Sequence, residues 1–351
     1  MASRPSTVCL IELCCVLHSL CSLNFSSMGL KPADVPHPSS SPSKTTFTQT
    51  KKSFINPPYE NILVREIFLF MKKVLIIICV ILAFIFGLMI FGYLSEPGSK
   101  VTAADLPTPP SVSAQQAILI DGKTGEVLFE KNADEKGYPA STTKIMTALV
   151  ALDVCKESGI GIDEEVAIPK VAVGVEGSSL YLKENEKKTI EELLYGVMLR
   201  SGNDGATALA ACMGGNLEHF IRMMNEKAER LGCTGTNFVN PSGLFDENHY
   251  TTARDLAKIA KCAMENKTFR KVVGTKTWKQ YTNKNKTVFQ YDGATGIKIG
   301  FTKASGRTLV ASAKRGDVEM ICVVLNDGDW FNDAYSLMDY GFNVKGCNNE
   351  K

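Results

Sequence analysis

Charge of one sign is what this 351-residue chain lacks: 39 Lys and Arg stand against 37 Asp and Glu, a net charge of +2, and no basic stripe runs along any segment. Nucleic acid is therefore not expected as a partner, because it needs a continuous cationic footprint. Histidine is scarce too. The four in the chain form no cluster at ligand spacing, so no metal or other cofactor is called for, and His219 and His249 read as surface or loop residues. Cys155, Cys212, Cys233, Cys262, Cys322 and Cys347 contain no Cys-x-x-Cys pair, which leaves no disulfide framework to infer. With 44% hydrophobic and 22% charged residues, there is enough apolar material for one sizeable domain plus extensions.

Charge is also absent from Val74 to Leu94, and with no polar face that run is not a buried core helix. Met71-Lys72-Lys73 precedes it, so residues 71–94 read as a signal peptide or an N-terminal membrane anchor, with the lysine end in the cytoplasm and everything after Leu94 outside. Val101-Thr102-Ala103 before Ala104 is a small-residue cleavage site; cutting there would give a secreted protein. Residues 1–70 crowd Pro, Ser, Thr and Lys between Lys31 and Pro58, and read as a disordered extension or as sequence upstream of a true start at Met71. A linker over 95–113 and a folded domain over 114–345 complete the expected layout.

Ser141 and Lys144 stand three residues apart where Ile145, Ala148, Leu149 and Leu152 begin to repeat at helical spacing behind Pro139. The two side chains share one face. A serine hydroxyl is a poor nucleophile until a base takes its proton, and a lysine desolvated by burial can be that base. The serine also meets a helix N-terminus, whose free N–H groups favour a developing negative charge. Ser-x-x-Lys alone is cheap, expected about once or twice by chance in a chain of this length, and Ser41 with Lys44 matches it in a proline- and serine-rich stretch. Two later motifs add specificity. Ser201-Gly202-Asn203 and Lys298-Ile299-Gly300 follow in the order Ser-x-x-Lys, Ser-x-Asn, Lys-Thr/Ser-Gly, whereas Ser22-Leu23-Asn24, Lys123-Thr124-Gly125 and Lys314-Arg315-Gly316 each lack the order and setting.

From about Gln116 to Phe342 the chain resembles the serine-type D-Ala-D-Ala carboxypeptidases, the low-molecular-mass penicillin-binding proteins of peptidase family S11. Four separated blocks carry the likeness: Ala117–Leu152, Leu193–Ala210, Asn237–Ala260 and Gly296–Ala313. The resemblance implies an α/β (α+β) fold of the DD-peptidase/β-lactamase kind, an antiparallel sheet flanked by helices with a helical subdomain. It implies peptidoglycan stem peptides ending in D-Ala-D-Ala as substrates, β-lactams as covalent inhibitors, and a place outside the cytoplasmic membrane in a bacterial cell envelope. By the same likeness Ser141 is the nucleophile and Lys144 its base, and Ser201 passes a proton to the leaving amine. Asn203, Lys298, Gly300, Phe301 and Thr302 would bind substrate, the Phe301 and Ser141 N–H groups forming an oxyanion hole. The alternatives are a class A-like β-lactamase, whose Glu-x-x-Leu-Asn loop is missing from Thr236–Phe245, and a low-activity wall-binding homologue.

The second alternative rests on Ile299, where the family pattern has a hydroxyl that helps hold the substrate carboxylate. Losing one hydrogen bond to a charged group costs on the order of 1.5–3 kcal/mol, which weakens an enzyme without abolishing it. Around the motifs, Ala117–Asp121 and Glu126–Glu130 read as a hairpin, Thr189 with Glu192 as a capping box, and Thr252–Met264 as an amphipathic helix. Gly296–Phe301, Arg307–Ala313 and Val318–Leu325 read as strands, and Phe331–Gly341 as a covering helix. The chain stops soon after it, so the β-rich second domain and C-terminal anchor of many relatives are not expected.

Overall fold

A computed structural model describes residues 60–94 and 107–347. The 1–59 part of the extension, the Val101–Ala103 cleavage site and most of the linker lie outside the described residues. The chain divides into two units.

In the first unit one helix, α1, runs from Glu60 to Leu94. It begins ahead of the expected anchor, so residues 60–70, read from the sequence as extension, are helical. The reason is that Val64, Ile67, Phe68, Leu69 and Phe70 carry the apolar run upstream past the lysines. Its Val64–Ile90 stretch is long and apolar enough to cross a membrane, roughly 40 Å at the rise of an α-helix against a hydrocarbon core of about 30 Å.

The second unit opens with a hairpin, β1 (Gln116–Asp121) and β2 (Val127–Lys131). The Asp121 carboxylate accepts the Lys123 and Thr124 N–H groups and closes the turn. Just ahead of β1, the Ser113 hydroxyl donates to Asp327, its N–H donates to Asp333, and Lys131 Nζ donates to the Val112 carbonyl. A single 3₁₀ turn, Ala140–Thr143, leads into α2 (Lys144–Ser158). After it come the short pair β3 (Glu165–Ala167) and β4 (Lys187–Thr189), then α3 (Ile190–Tyr195), continued by a π turn over Gly196–Arg200. The expected capping box is present: Thr189 Oγ1 accepts the Glu192 N–H while Glu192 accepts the Thr189 N–H. Helices α4 (Asn203–Gly214), α5 (Leu217–Arg230), α6 (Ala253–Glu265) and α7 (Lys267–Gly274) follow, then β5 (Thr277–Trp278), β6 (Tyr281–Thr282) and the one-turn α8 (Thr287–Gln290). The chain ends its fold with β7 (Ala294–Thr302), β8 (Gly306–Arg315), β9 (Val318–Leu325) and α9 (Trp330–Val344).

The main sheet has the order β2-β1-β9-β8-β7 and every neighbouring pair is antiparallel. It is covered on both faces. Leu119, Leu309, Ala311, Cys322 and Val324 pack under Ala334, Leu337, Met338 and Phe342 of α9. On the other face Ile118, Ile297, Val310 and Val323 join Ile145, Leu149, Met198, Leu209, Leu256 and Ile259 in the larger core. This second face carries α2 wrapped in helices, hence its near-uniform burial. Strand β7 lies at the sheet edge, beside the 3₁₀ turn that holds Ser141.

Candidate active site

Ser141 stands in a 3₁₀ turn and not in an α-helix as expected, which strengthens the pairing. With three residues per turn, positions i and i+3 eclipse. Lys144 thereby lies directly over Ser141, its Nζ 2.9 Å from Ser141 Oγ. The turn is held open at a cost. Ala140 has φ +46°, a left-handed backbone that a non-glycine residue adopts only when its surroundings impose it. The imposing group is the Pro139 carbonyl, which accepts the hydroxyls of Thr142 at 2.6 Å and of Thr308, on β8, at 3.2 Å. A strand in the sheet thus clamps the turn that presents the serine.

Lys144 is fully buried. Its Nζ has two further neighbours, Asn203 Oδ1 at 2.7 Å and the Ser242 carbonyl at 2.6 Å. Both only accept. In its neutral form the amine has two N–H bonds and one lone pair, and with the N–H groups given to Asn203 and Ser242 the lone pair faces the Ser141 hydroxyl. Burial holds the Lys144 amine well below the usual lysine range, the positive charges of Lys298 and Lys284 push the same way, and Asp204 opposes them. None of Nζ's three partners is a carboxylate, so nothing in contact with it restores the charged form.

Asn203 is oriented without ambiguity, because its Nδ2 donates to the Glu176 carbonyl at 2.6 Å while Oδ1 faces the lysine. It caps the loop that precedes β4: its N–H donates to the Ser178 carbonyl, and the neighbouring Asp204 carboxylate accepts from Ser179 Oγ and the Leu180 and Leu182 N–H groups. Ser201 is buried with φ +65°, the left-handed residue that ends the π turn, as its place in Ser-Gly-Asn after a helix suggests. Its hydroxyl is not among the Nζ partners.

Lys298 is fully buried on β7, its Nζ donating to the Ile299 carbonyl at 3.0 Å, and burial together with the charge of Lys284 brings its pKa down to about 7. Gly300 is where β7 abuts the serine. A Cβ there would meet Thr308 Oγ1, the Ser141 nitrogen and Ala140 Cβ, so only glycine allows the approach. Phe301 is exposed, and the Thr302 hydroxyl is engaged locally with Ser305 in the β7–β8 turn at 2.9 Å. Ile299 alternates away from Lys298 and Gly300 and packs, partly buried, against the cluster under α9.

Several participants were not legible as motifs. Ser242 contributes a backbone oxygen, presented by a turn in which Asn240 Oδ1 accepts the Ser242, Gly243 and Leu244 N–H groups. Gly243 has φ +82°, and a side chain there would collide with the Ala140 carbonyl. Lys284, from the segment after β6, has no signature at all, yet it bears on both buried lysines. His249, expected on the surface or in a loop, is in a loop but buried.

Residues 102–329 match the peptidase S11 family, described as D-alanyl-D-alanine carboxypeptidase. D-alanyl-D-alanine carboxypeptidase DacF of Bacillus subtilis is 37% identical over 220 residues, 60% of this chain and 57% of DacF. DacC of Escherichia coli is 36% identical over 250 residues, 66% of this chain and 62% of DacC. The chain therefore spans less than two thirds of either relative. The crystal structure of the Streptomyces K15 DD-transpeptidase superposes with a TM-score of 0.64 at 35% identity, covering 68% of this chain and all of that one.

Proposed function

The chain belongs to the S11 family of D-alanyl-D-alanine carboxypeptidases, and on that premise we propose that it removes the terminal D-Ala from peptidoglycan stem peptides through an acyl-enzyme on Ser141. The Ser141 hydroxyl passes its proton to the neutral Lys144 amine as Oγ attacks the carbonyl of the penultimate D-Ala. The resulting oxyanion is received by the Ser141 and Phe301 N–H groups, which Gly300 lets come close together. The C–N bond then breaks, the departing amine takes a proton relayed by Ser201, and free D-Ala leaves. Water repeats the sequence on the ester, with Lys144 again taking the proton.

Lys298 and Lys284 make the far end of the cleft cationic, which suits the carboxylate of the leaving D-Ala, and Thr302 stands at the same strand end. Asn203 holds Lys144 and lines the cleft. The free edge of β7 suits an extended peptide, which can add to it as a further strand. We read α1 as the export signal or anchor that puts the domain outside the cytoplasmic membrane, with Lys72 and Lys73 on the cytoplasmic side of its charge-free Val74–Leu94 run.

One observation carries the reading: a fully buried lysine whose nitrogen lies 2.9 Å from a serine hydroxyl and is held by two further oxygens, Asn203 Oδ1 at 2.7 Å and the Ser242 carbonyl at 2.6 Å. The test is mass spectrometry after exposure to a penicillin, with D-Ala release from diacetyl-Lys-D-Ala-D-Ala measured beside it. An adduct on Ser141 and D-Ala release are expected. Release without a new amide bond distinguishes hydrolysis from transfer to an amine, the activity named for the Streptomyces K15 protein. An adduct elsewhere, or rapid complete nitrocefin turnover, would overturn the assignment.

A further inference from the structure

Three contacts join the loop between residues 237 and 250 to the end of the 3₁₀ turn and the first turn of α2. Lys144 Nζ meets the Ser242 carbonyl at 2.6 Å, Thr147 Oγ1 donates to the Pro241 carbonyl at 2.6 Å, and His249 Nε2 lies 2.8 Å from Thr143 Oγ1. The ends of the loop are pinned to each other by the Asn237–Tyr250 bridge. The histidine's protonation is readable from its partners. The Val239 N–H donates to Nδ1 at 3.1 Å, so Nδ1 carries no proton, and in the neutral ring the hydrogen sits on Nε2 and is donated to Thr143. The Phe238 ring meets the imidazole edge to face, with centroids 5.6 Å apart. Both ring nitrogens are spent on fixing the loop against the residue next to Lys144.

We infer that His249 is a positioning residue for the proposed reaction: through Thr143 it sets the Ser242 carbonyl against the Lys144 amine, and so aims the lysine lone pair at Ser141. The reasoning follows the amine. One N–H is fixed by Asn203 from the α4 side; the other has only the Ser242 carbonyl. Should that carbonyl drift, the amine turns to find another acceptor and its lone pair leaves the serine. A misplacement of about 1 Å at reacting atoms can cost on the order of a hundredfold in rate. The groups whose charge bears on the imidazole are Asp246, which favours its protonation, and Lys144, which in its charged form disfavours it; burial outweighs Asp246 and keeps the ring neutral.

The inference rests on the proposed acyl-enzyme chemistry, and its test separates the two. His249→Gln puts an amide N–H where Nε2–H was, and so retains the link to Thr143. His249→Asn puts an amide oxygen where Nδ1 was, and retains only the link to Val239. Acylation by penicillin is expected to slow roughly 10- to 100-fold in His249→Asn, with most of that loss recovered in His249→Gln. For D-Ala release, kcat should fall while KM holds, since His249 touches no substrate. Thr143→Val should behave as His249→Asn does. Thermal midpoints of all four proteins are measured together, because a merely structural role would make acylation follow stability whichever nitrogen is replaced. Equal losses in the Gln and Asn variants, or none in either, overturn the inference. Imidazole ¹⁵N shifts of the wild type give a readout independent of activity: a proton on Nδ1 would refute the bonding scheme even in an active enzyme, whereas a wild type with the expected tautomer and no acylation would refute the reaction and His249's part in it together.

Discussion

Two fully buried lysines with no carboxylate in contact are a burden on the fold. Lys298 has its pKa lowered from 10.5 to about 7. For a lysine depressed in this way, the native state holds its full stability only above pH 10.5 and loses it progressively as pH falls to 7, where the unfolded chain is protonated and the folded one is not. The loss is of order 5 kcal/mol at about 1.4 kcal/mol per pH unit. Lys298→Met is therefore expected to raise the unfolding midpoint at pH 7, to raise it much less at pH 10.5, and to abolish D-Ala release. A midpoint gain that does not depend on pH would show that the charge is not the cause. The same pKa shapes the reaction. If the charged form of Lys298 captures the substrate carboxylate, kcat/KM should begin to fall near pH 7 on the alkaline side. The corresponding limb in kcat should lie higher, because the bound carboxylate favours the charged lysine. At Ile299 the expected effect is smaller. Ile299→Thr adds a hydroxyl at the exposed edge strand and removes a methyl packed near Leu309. Because the side chain at 299 faces the α9 cluster and away from Lys298 and Gly300, penicillin acylation should stay near the wild-type rate, at a cost of about 1 kcal/mol in denaturant unfolding; a tenfold gain would show that the new hydroxyl reaches the substrate carboxylate.

Among the elements, β7 and the 3₁₀ turn make the tightest joint in the site. Gly300→Ala would force them apart at the Ser141 nitrogen, so acylation should fall at least 100-fold while far-ultraviolet dichroism, which reports the sheet and helices, stays that of the wild type. Retained acylation would mean that β7 can retreat without disturbing the serine. The elements most legible in the sequence were those whose pattern and packing agree. The Thr189/Glu192 capping box has its own local signature and the helix after Thr252 one buried face with a clear period, while the strands near Gly296–Phe301, Arg307–Ala313 and Val318–Leu325, covered on both faces, read as short apolar runs bounded by turns. The 3₁₀ start of α2 had no such signal, because it is imposed from outside by Thr308 on the Pro139 carbonyl. Ser141, Lys144 and Asn203 could be found because chemistry requires those side chains at fixed positions. Ser242 could not, since any residue supplies a carbonyl; nor could Lys284, whose importance lies in where the chain after β6 folds back, or His249, whose hydroxyl partner Thr143 is 106 residues away in sequence.

At the scale of the whole domain, two buried groups oppose each other as pH changes. His249 has its pKa lowered to about 4 by burial, so its contribution is present above pH 6.5 and lost as pH falls through 4. Asp327, buried beside Asp333, has its pKa raised to about 6, chiefly by desolvation, so its contribution is present below pH 3.8 and lost as pH rises through 6. Between pH 6.5 and 4 the two act in opposite directions. Asp327→Asn should expose the histidine alone, with stability falling as the solution is acidified, and His249→Gln should expose the aspartate, with stability rising. Parallel slopes in the two variants, measured by denaturant midpoints across that range, would contradict the assignment.

The bonds of Ser113 also have a mechanical meaning. Where the chain enters the domain, tension arriving along the backbone meets the Lys131 bond to the Val112 carbonyl and the Ser113 bonds to Asp327 and Asp333 before it reaches β1. Because Asp333 lies in the first turn of α9 and Asp327 just past β9, the load is shared between a helix on one face and the middle of the sheet, in place of peeling one strand from its neighbours. Pulled from its N-terminal side, the domain should yield in one abrupt rupture, and Ser113→Ala should lower the rupture force while leaving the chemistry at Ser141 untouched.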